Sequence, residues 1–374
     1  MRRSAKNIYF MPKFVVTTYR HKGEGMTKIR KSPFGVFEGQ EVDKYTMTEG
    51  DISVSVLTYG GILQSIVIPD KNGVKRDVLL GYDDLDGYLN NGGYLGALIG
   101  RFGNRIEKGN LTIDGVTYEL YRNDRGNHLH GGKIGFNAKI WKAETLNGTL
   151  ELSYFSPDGE ENYPGNLTVK VVYSLKDGAL NISYFAVSDK KTAIAMTNHA
   201  YFNLNGEGNE ETAADNILQI DAPYITPTDD TLIPHGEFRA VAGTPFDFNE
   251  PKAIERDVEA DDPDLKKGGG YDHCFVFDKN RDAKKPYAVA YSEKTGIEMK
   301  CYTDMPAVQL YTGNGLDQYG KGGHHYGKRN AYCLETEAIP NNVNVPAYAE
   351  YGSSIYDRGE AYRFFATYAF SVKK

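Results

Sequence analysis

The feature that most constrains this chain is a two-residue hydrophobic alternation that recurs along its length and is cut by tight-turn pairs. Leu167, Val169, Val171 and Tyr173 share one parity, Asp177-Gly178 follows, and Leu180, Ile182, Tyr184 and Ala186 resume the pattern. Successive side chains of a strand point to opposite faces, so each run presents one apolar face. Asp-Gly supplies the two positive-φ residues that a two-residue hairpin turn requires. The same reading applies to LTIDGVTYEL (111–120), to Ile-Ser-Val-Ser-Val (52–56), and to Tyr362, Phe364, Ala366, Tyr368 and Phe370. The 41 glycines and 28 tyrosines suit many short strands joined by tight turns. Helical periodicity never extends beyond about two turns; the segment 252–259 is expected to form one short helix. The expected fold is all-β, one large antiparallel β-sandwich spanning residues 32–374, with no repeat or linker dividing it.

Residues 1–31 lack this alternation and are basic throughout. They read as an N-terminal extension, either disordered or, with Met26 as the true start, not native. Its apolar stretch 8–16 is broken by Pro12 and Lys13, whereas a secretory signal needs an unbroken apolar core. No apolar run approaches the ~20 residues that span a bilayer. The formal net charge is -7, from 43 basic and 50 acidic residues. That balance argues against a nucleic-acid or anionic-membrane partner, both of which select a basic surface. Cys274, Cys301 and Cys333 form neither a disulfide framework nor a C-x-x-C zinc pair. A reducing compartment, the cytoplasm, is the expected location.

Five separated segments carry residues suited to chemistry. In GRFGNRI (100–106), Arg105 offers a rigid fork of donors able to hold hydroxyls, or serves an ion pair. In NHLHGG (127–132), His128 and His130 share a face on a continuous strand, but no third ligand stands at metal spacing. His130 can instead donate to a ligand where Gly131-Gly132 let the backbone approach. In TNHAYFNL (197–204), His199 is either a satisfied core histidine or a proton donor suited to neutral pH. In GGGYDHCFVF (268–277), Asp272 either caps a turn or accepts from hydroxyls, with His273 on the opposite face. In AYCLETEAIPNNVN (331–344), Glu335 follows an apolar pair and so faces inward, where a carboxylate must be paired or functional. Gln309 in VQLYTGN (308–314) belongs to the same region, and Glu337 shares Glu335's face if the strand continues.

Taken in this order, the segments resemble the motifs of the aldose 1-epimerase (mutarotase) family: G-R-x-x-N-R-I, N-x-L-H-G-G, T-N-H-x-Y-F-N-L, F/Y-D-H and L-E-T-Q…P. The resemblance spans nearly all of residues 33–372. It implies the galactose mutarotase-like β-sandwich and an isomerase that interconverts the α and β anomers of a free hexose, D-galactose or D-glucose. It also implies that His199 is the acid protonating the ring oxygen and Glu335 the base at the anomeric hydroxyl. Asn104, Arg105, His130, Asp272 and Gln309 are then the groups that hold the other hydroxyls. No cofactor or metal is implied, and the chain is expected to be a monomer or homodimer. Glu337 stands where the family often has Gln, Asn341-Asn342 where it has Asp-Ala, and Phe102-Gly103 where it has Val-Ala. A charged Glu337 is expected to raise the pKa of Glu335 by like-charge repulsion. Two rival readings remain: a glycoside hydrolase using Asp272 and Glu335, and a carbohydrate-binding sandwich without catalysis.

Overall fold

The Asp-Gly pairs at 114–115 and 177–178 form the hairpin turns that their chemistry favours. In the computed structural model, which describes residues 27–209 and 212–373, Asp177 and Gly178 take φ values of 53° and 74°. They join the strands Leu167–Lys176 and Ala179–Ser188. Asp114 and Gly115, at 49° and 80°, join Asn110–Ile113 to Val116–Glu119. Two successive left-handed residues match the twist of the flanking strands.

The register of the first hairpin sets Val171 opposite Tyr184 and Tyr173 opposite Ile182. The strand Ala361–Val372 pairs on its far side, with Phe364 opposite Tyr184 and their rings stacked at 4.1 Å. These strands form the middle of a nine-stranded antiparallel sheet. From one edge it runs through Lys142–Leu146, Thr149–Ser156, the hairpin and Ala361–Val372, then Ile297–Thr303, Ala288–Tyr291, Ile217–Ile220 and Lys252–Ala253.

A six-stranded sheet faces it, in the order Tyr201–Phe202, Tyr332–Glu337, Ala307–Tyr311, Asp272–Val276, Tyr224–Ile225 and Arg239–Ala240. Val171, Tyr173, Ile182 and Tyr184 join Phe202, Phe275, Leu310 and Leu334 in one buried cluster. Tyr368 spans the two layers: its ring lies 5.0 Å from Phe202 and its hydroxyl donates to the Leu334 carbonyl. Each such aliphatic or aromatic side chain contributes about 1.5–3 kcal/mol by leaving water. A five-stranded N-terminal meander, Lys28–Phe37 through Lys75–Asp77, completes the antiparallel architecture. Among the described residues no helix is long and apolar enough to cross a membrane.

Two local expectations are corrected. Lys252–Ala253 is a strand paired with Ile217 and Leu218, and only Ile254–Arg256 makes a 3₁₀ turn, so no α-helix covers 252–259. Tertiary contacts override the local pattern there. Lys252 is buried with its ammonium 4.0 Å from the Phe248 ring and 2.8 Å from Asp257. Among the described residues the α-helices are two short ones, Leu85–Asn90, capped by Asp84, and Pro263–Gly268, capped by Asp262. The second correction concerns the boundary at residue 32. Lys28–Lys31 are already in strand, paired with Thr48–Tyr45, and Lys31 meets Asp43 at 2.8 Å. Residues 1–26, most of the expected extension, lie outside the described residues.

Candidate active site

Strand alternation also decides which polar side chains leave the core. Every residue of Tyr332–Glu337 is buried. Tyr332 and Leu334 join the core cluster, so Cys333, Glu335 and Glu337 fall on the other face. Gln309 lies directly across from Glu335 on the neighbouring strand, and Asp272 lies one strand further, opposite Tyr311. The Gln309 amide donates to Asp272 Oδ1 at 2.7 Å. These groups open into a cleft of about 500 Å³. All seven residues singled out in the sequence, Asn104, Arg105, His130, His199, Asp272, Gln309 and Glu335, line it.

The opposite wall is a backbone knot. Leu129 pairs with Arg105, and the chain then turns: His130 has a φ of 51° and Asn104 of 58°. His130 N–H donates to the Asn104 carbonyl, and Asn104 N–H donates to His130 Nδ1, both at 3.1 Å. Gly131 is required beside them, because a Cβ there would lie 1.9 Å from the Gly100 carbonyl oxygen. Arg105 is held by Asp124 at 2.8 Å, and Asn341 N–H donates to its carbonyl. His128 does not share His130's face, because the strand ends at Leu129 and His130 adopts positive φ. Its ring is fully buried between the Tyr121 carbonyl and the Tyr163 hydroxyl.

The fold brings together a triad that spacing along the chain does not reveal. Ligand atoms of His130, His199 and Glu335 lie within 4.8 Å of one another. Their hydrogen bonds do not suit a metal. An N–H can only donate, so His130 Nδ1 is an acceptor, the ring proton sits on Nε2, and no lone pair is left there for an ion. The set suits an uncharged hydroxylated ligand instead. Glu335 Oε2 and Gln309 Oε1 reinforce this reading, being buried acceptors without a hydrogen-bond partner.

His199 Nε2 lies 3.6 Å from Glu335 Oε1, and its Nδ1 lies 3.4 Å from Cys333 Sγ. Tyr94 and Tyr201 stack on its ring at 5.9 and 5.0 Å. Burial pushes Glu335 up to about 8, helped by Asp272 and opposed by Arg105. Burial holds His199 down to about 4. Between those values the pair carries one proton, and burial alone favours placing it on Glu335. Transfer across the 3.6 Å gap gives the alternative state, an imidazolium facing a carboxylate. Glu337 is not the neighbour that raises Glu335; Asp272 is. Glu337 is itself displaced well above the carboxylate range, by burial first and Glu335 second.

Other sequence expectations sort cleanly. Tyr201 and Tyr311 line the cleft, whereas Phe202 points into the core. His273 is fully buried and faces the Asp264 carbonyl. Tyr94 and Cys333 touch His199 but were not singled out from sequence. The signal for Tyr94 was an aromatic after Asn-Asn-Gly-Gly; the signal for Cys333 was its shared parity with Glu335.

A sequence model of the aldose 1-epimerase family matches residues 43–369. The chain is 37% identical over 333 residues to galactose mutarotase of Bos taurus, covering 88% of this chain and 94% of that one. It is 38% identical over 300 residues to aldose 1-epimerase of Escherichia coli K12, covering 79% and 86%. The crystal structure of galactose 1-epimerase from Lactobacillus acidophilus superposes with a TM-score of 0.82 at 28% identity, covering 93% of this chain and all of that one. With this fold, this cleft and these relatives, the chain belongs to the aldose 1-epimerase family.

Proposed function

We propose that this chain interconverts the α and β anomers of free hexoses, D-galactose and D-glucose, by acid–base ring opening and closure in the cleft described above. The observation that carries the reading is the His199–Glu335 pair, 3.6 Å apart in the lining of the cleft, with one Glu335 carboxyl oxygen that has no hydrogen-bond partner. Glu335 takes the proton of the anomeric hydroxyl while His199 delivers one to the ring oxygen. The C1–O5 bond breaks, C1 becomes an aldehyde, and rotation about C1–C2 exposes its other face. Reversal of both transfers closes the opposite anomer. Each step conserves the pair's proton count, so the pair returns ready for the next turn. A positioned acid or base of this kind contributes ~10²–10⁴ in rate.

The remaining groups hold the ring. His130 Nε2–H and the Arg105 guanidinium are donors, and Asp272 is an acceptor steadied by Gln309. Asn104 contributes by shaping the wall, because its amide is already engaged by Glu337. Three free, buried cysteines support a reducing compartment, the cytoplasm, as the working location, and the sheets formed by the described residues support reading 32–374 as one domain. Polarimetry of freshly dissolved α-D-galactose and α-D-glucose tests the reading. Accelerated approach to the equilibrium rotation is expected. No acceleration with tight sugar binding would leave a carbohydrate-binding protein, and release of reducing ends from glycosides would indicate a hydrolase.

A further inference from the structure

The Tyr332–Glu337 strand carries a second carboxyl group that ring opening does not use. Glu337 is 3% exposed. The Asn104 side-chain amide donates to it at 3.3 and 3.2 Å from its two oxygens. The groups facing it are Glu335 on its own strand, Asp272 and Cys274 one strand beyond Ala307–Tyr311 in the same sheet, and Asn104 and Arg105 on the opposite wall. No Lys, Arg or His among the described residues forms an ion pair with it. An isolated buried charge whose close partners are only the neutral Asn104 amide and the Cys274 thiol is costly. A neutral carboxylic acid matches an amide in shape, with one acceptor for Asn104 and one donor left over.

Asn104 is the hub of the sugar-holding wall. Its Oδ1 accepts from Arg105 N–H at 2.9 Å. Its backbone N–H fixes the His130 ring, and its carbonyl accepts from His130 N–H. Every polar group of Asn104 is therefore committed to positioning, and its amide has one anchor, Glu337.

We propose that Glu337, as an uncharged acid, is the positioning residue of the sugar-holding wall, acting through Asn104 to set the orientation of His130 and Arg105. The inference rests on the reading of that wall as the hexose site. It separates the strand's polar face into two duties: Glu335 handles the reacting oxygens, and Glu337 steadies the groups that hold the rest of the ring.

The test is steady-state kinetics with D-galactose on folded variants, with melting temperature recorded for each. Glu337→Met keeps chain length and removes the hydrogen bond. Its KM is expected to rise about tenfold, the effect of one lost buried hydrogen bond, while kcat changes by less than about threefold. Glu337→Gln restores the bond without a charge and should bring KM back to within about threefold. Asn104→Gly keeps the left-handed backbone and removes the amide, and should show the same split. The double variant Asn104→Gly/Glu337→Met should be no worse than the poorer single. A folded Glu337→Met with unchanged KM, a Glu337→Gln as impaired as Glu337→Met, or additive effects in the double variant would each overturn the proposal. If Glu337→Met does not fold, an unchanged KM in Asn104→Gly overturns it. Arg105→Ala separates the two levels: if it leaves KM unchanged, the hexose reading of the wall fails rather than the role of Glu337.

Discussion

The strands Leu167–Lys176 and Tyr332–Glu337 follow the same alternation but differ in what they bury. The first sends Leu167, Val169, Val171 and Tyr173 into the core and leaves Lys170 and Ser174 half-exposed on the outside. The second is covered on both faces: Tyr332 and Leu334 meet the core, while Cys333, Glu335 and Glu337 are covered by the cleft walls. Water removed from an apolar face stabilises the fold. Water removed from a carboxyl face costs stability and moves protonation. The sandwich's stability and its reactivity thus come from the same act of burial, applied to different side chains.

The sharpest way to break this comparison is Glu335→Gln. The amide keeps shape and hydrogen-bonding capacity but cannot take a proton, so turnover should fall ~10²-fold or more while sugar affinity stays within about tenfold. His199→Asn should lose a similar amount, and the double variant should not lose the product of the two. Full turnover in a stable Glu335→Gln protein would refute the acid–base pair. On the apolar side, Ile182→Ala should reduce unfolding free energy by about 2–5 kcal/mol in denaturant titrations, with turnover per folded molecule unchanged. A catalytic defect in that folded fraction would mean that the two regions are not separable.

The pH dependence of stability sharpens the contrast further. The folded pKa of Glu335 is raised from 4.5 to about 8, so its contribution is complete below 4.5 and is lost as pH rises toward 8. That of His199 is lowered from 6.5 to about 4, so its contribution is complete above 6.5 and is lost as pH falls toward 4. Relative to wild type, Glu335→Gln should therefore gain several degrees in melting temperature between pH 5 and pH 9. A pH-independent difference would show that Glu335 ionises in the fold without penalty. The smallest effect belongs to the outer face. Lys170 pairs with Glu151 at 2.7 Å across the sheet. Lys170→Ala should cost no more than about 1 kcal/mol, with turnover unaffected.

Much of the fold was legible because the signals are local. The hairpins at Asp114-Gly115 and Asp177-Gly178 follow from turn chemistry and parity alone, and the core faces of Leu167–Tyr173 and Tyr362–Phe370 follow from alternation. Lys252–Ala253 was not legible, because its strand pairing depends on Ile217 and Leu218, more than thirty residues away. The same division holds for the cleft. Motif resemblance picked out seven residues that converge on it, but the links between them come from non-local register. The Asn104–Glu337 bond spans 233 positions and the His199–Cys333 contact 134. His130 shows the limit most clearly. A single positive φ, read nowhere in its side chain, separates it from His128 and sends the two imidazoles to different places.

The placement of the C-terminal strand has a consequence for biosynthesis. Ala361–Val372 sits in the middle of the nine-stranded sheet, between Ala179–Ser188 and Ile297–Thr303. Translation proceeds at roughly 5–20 residues per second, and until residue 372 clears the ribosome the two halves of that sheet each present an unpaired edge. Such edges are templates for pairing with other chains. A chain lacking this strand is therefore open to pairing with its neighbours along two edges. Loss of Ala361–Val372 would not trim a margin; it would leave the sheet in two pieces.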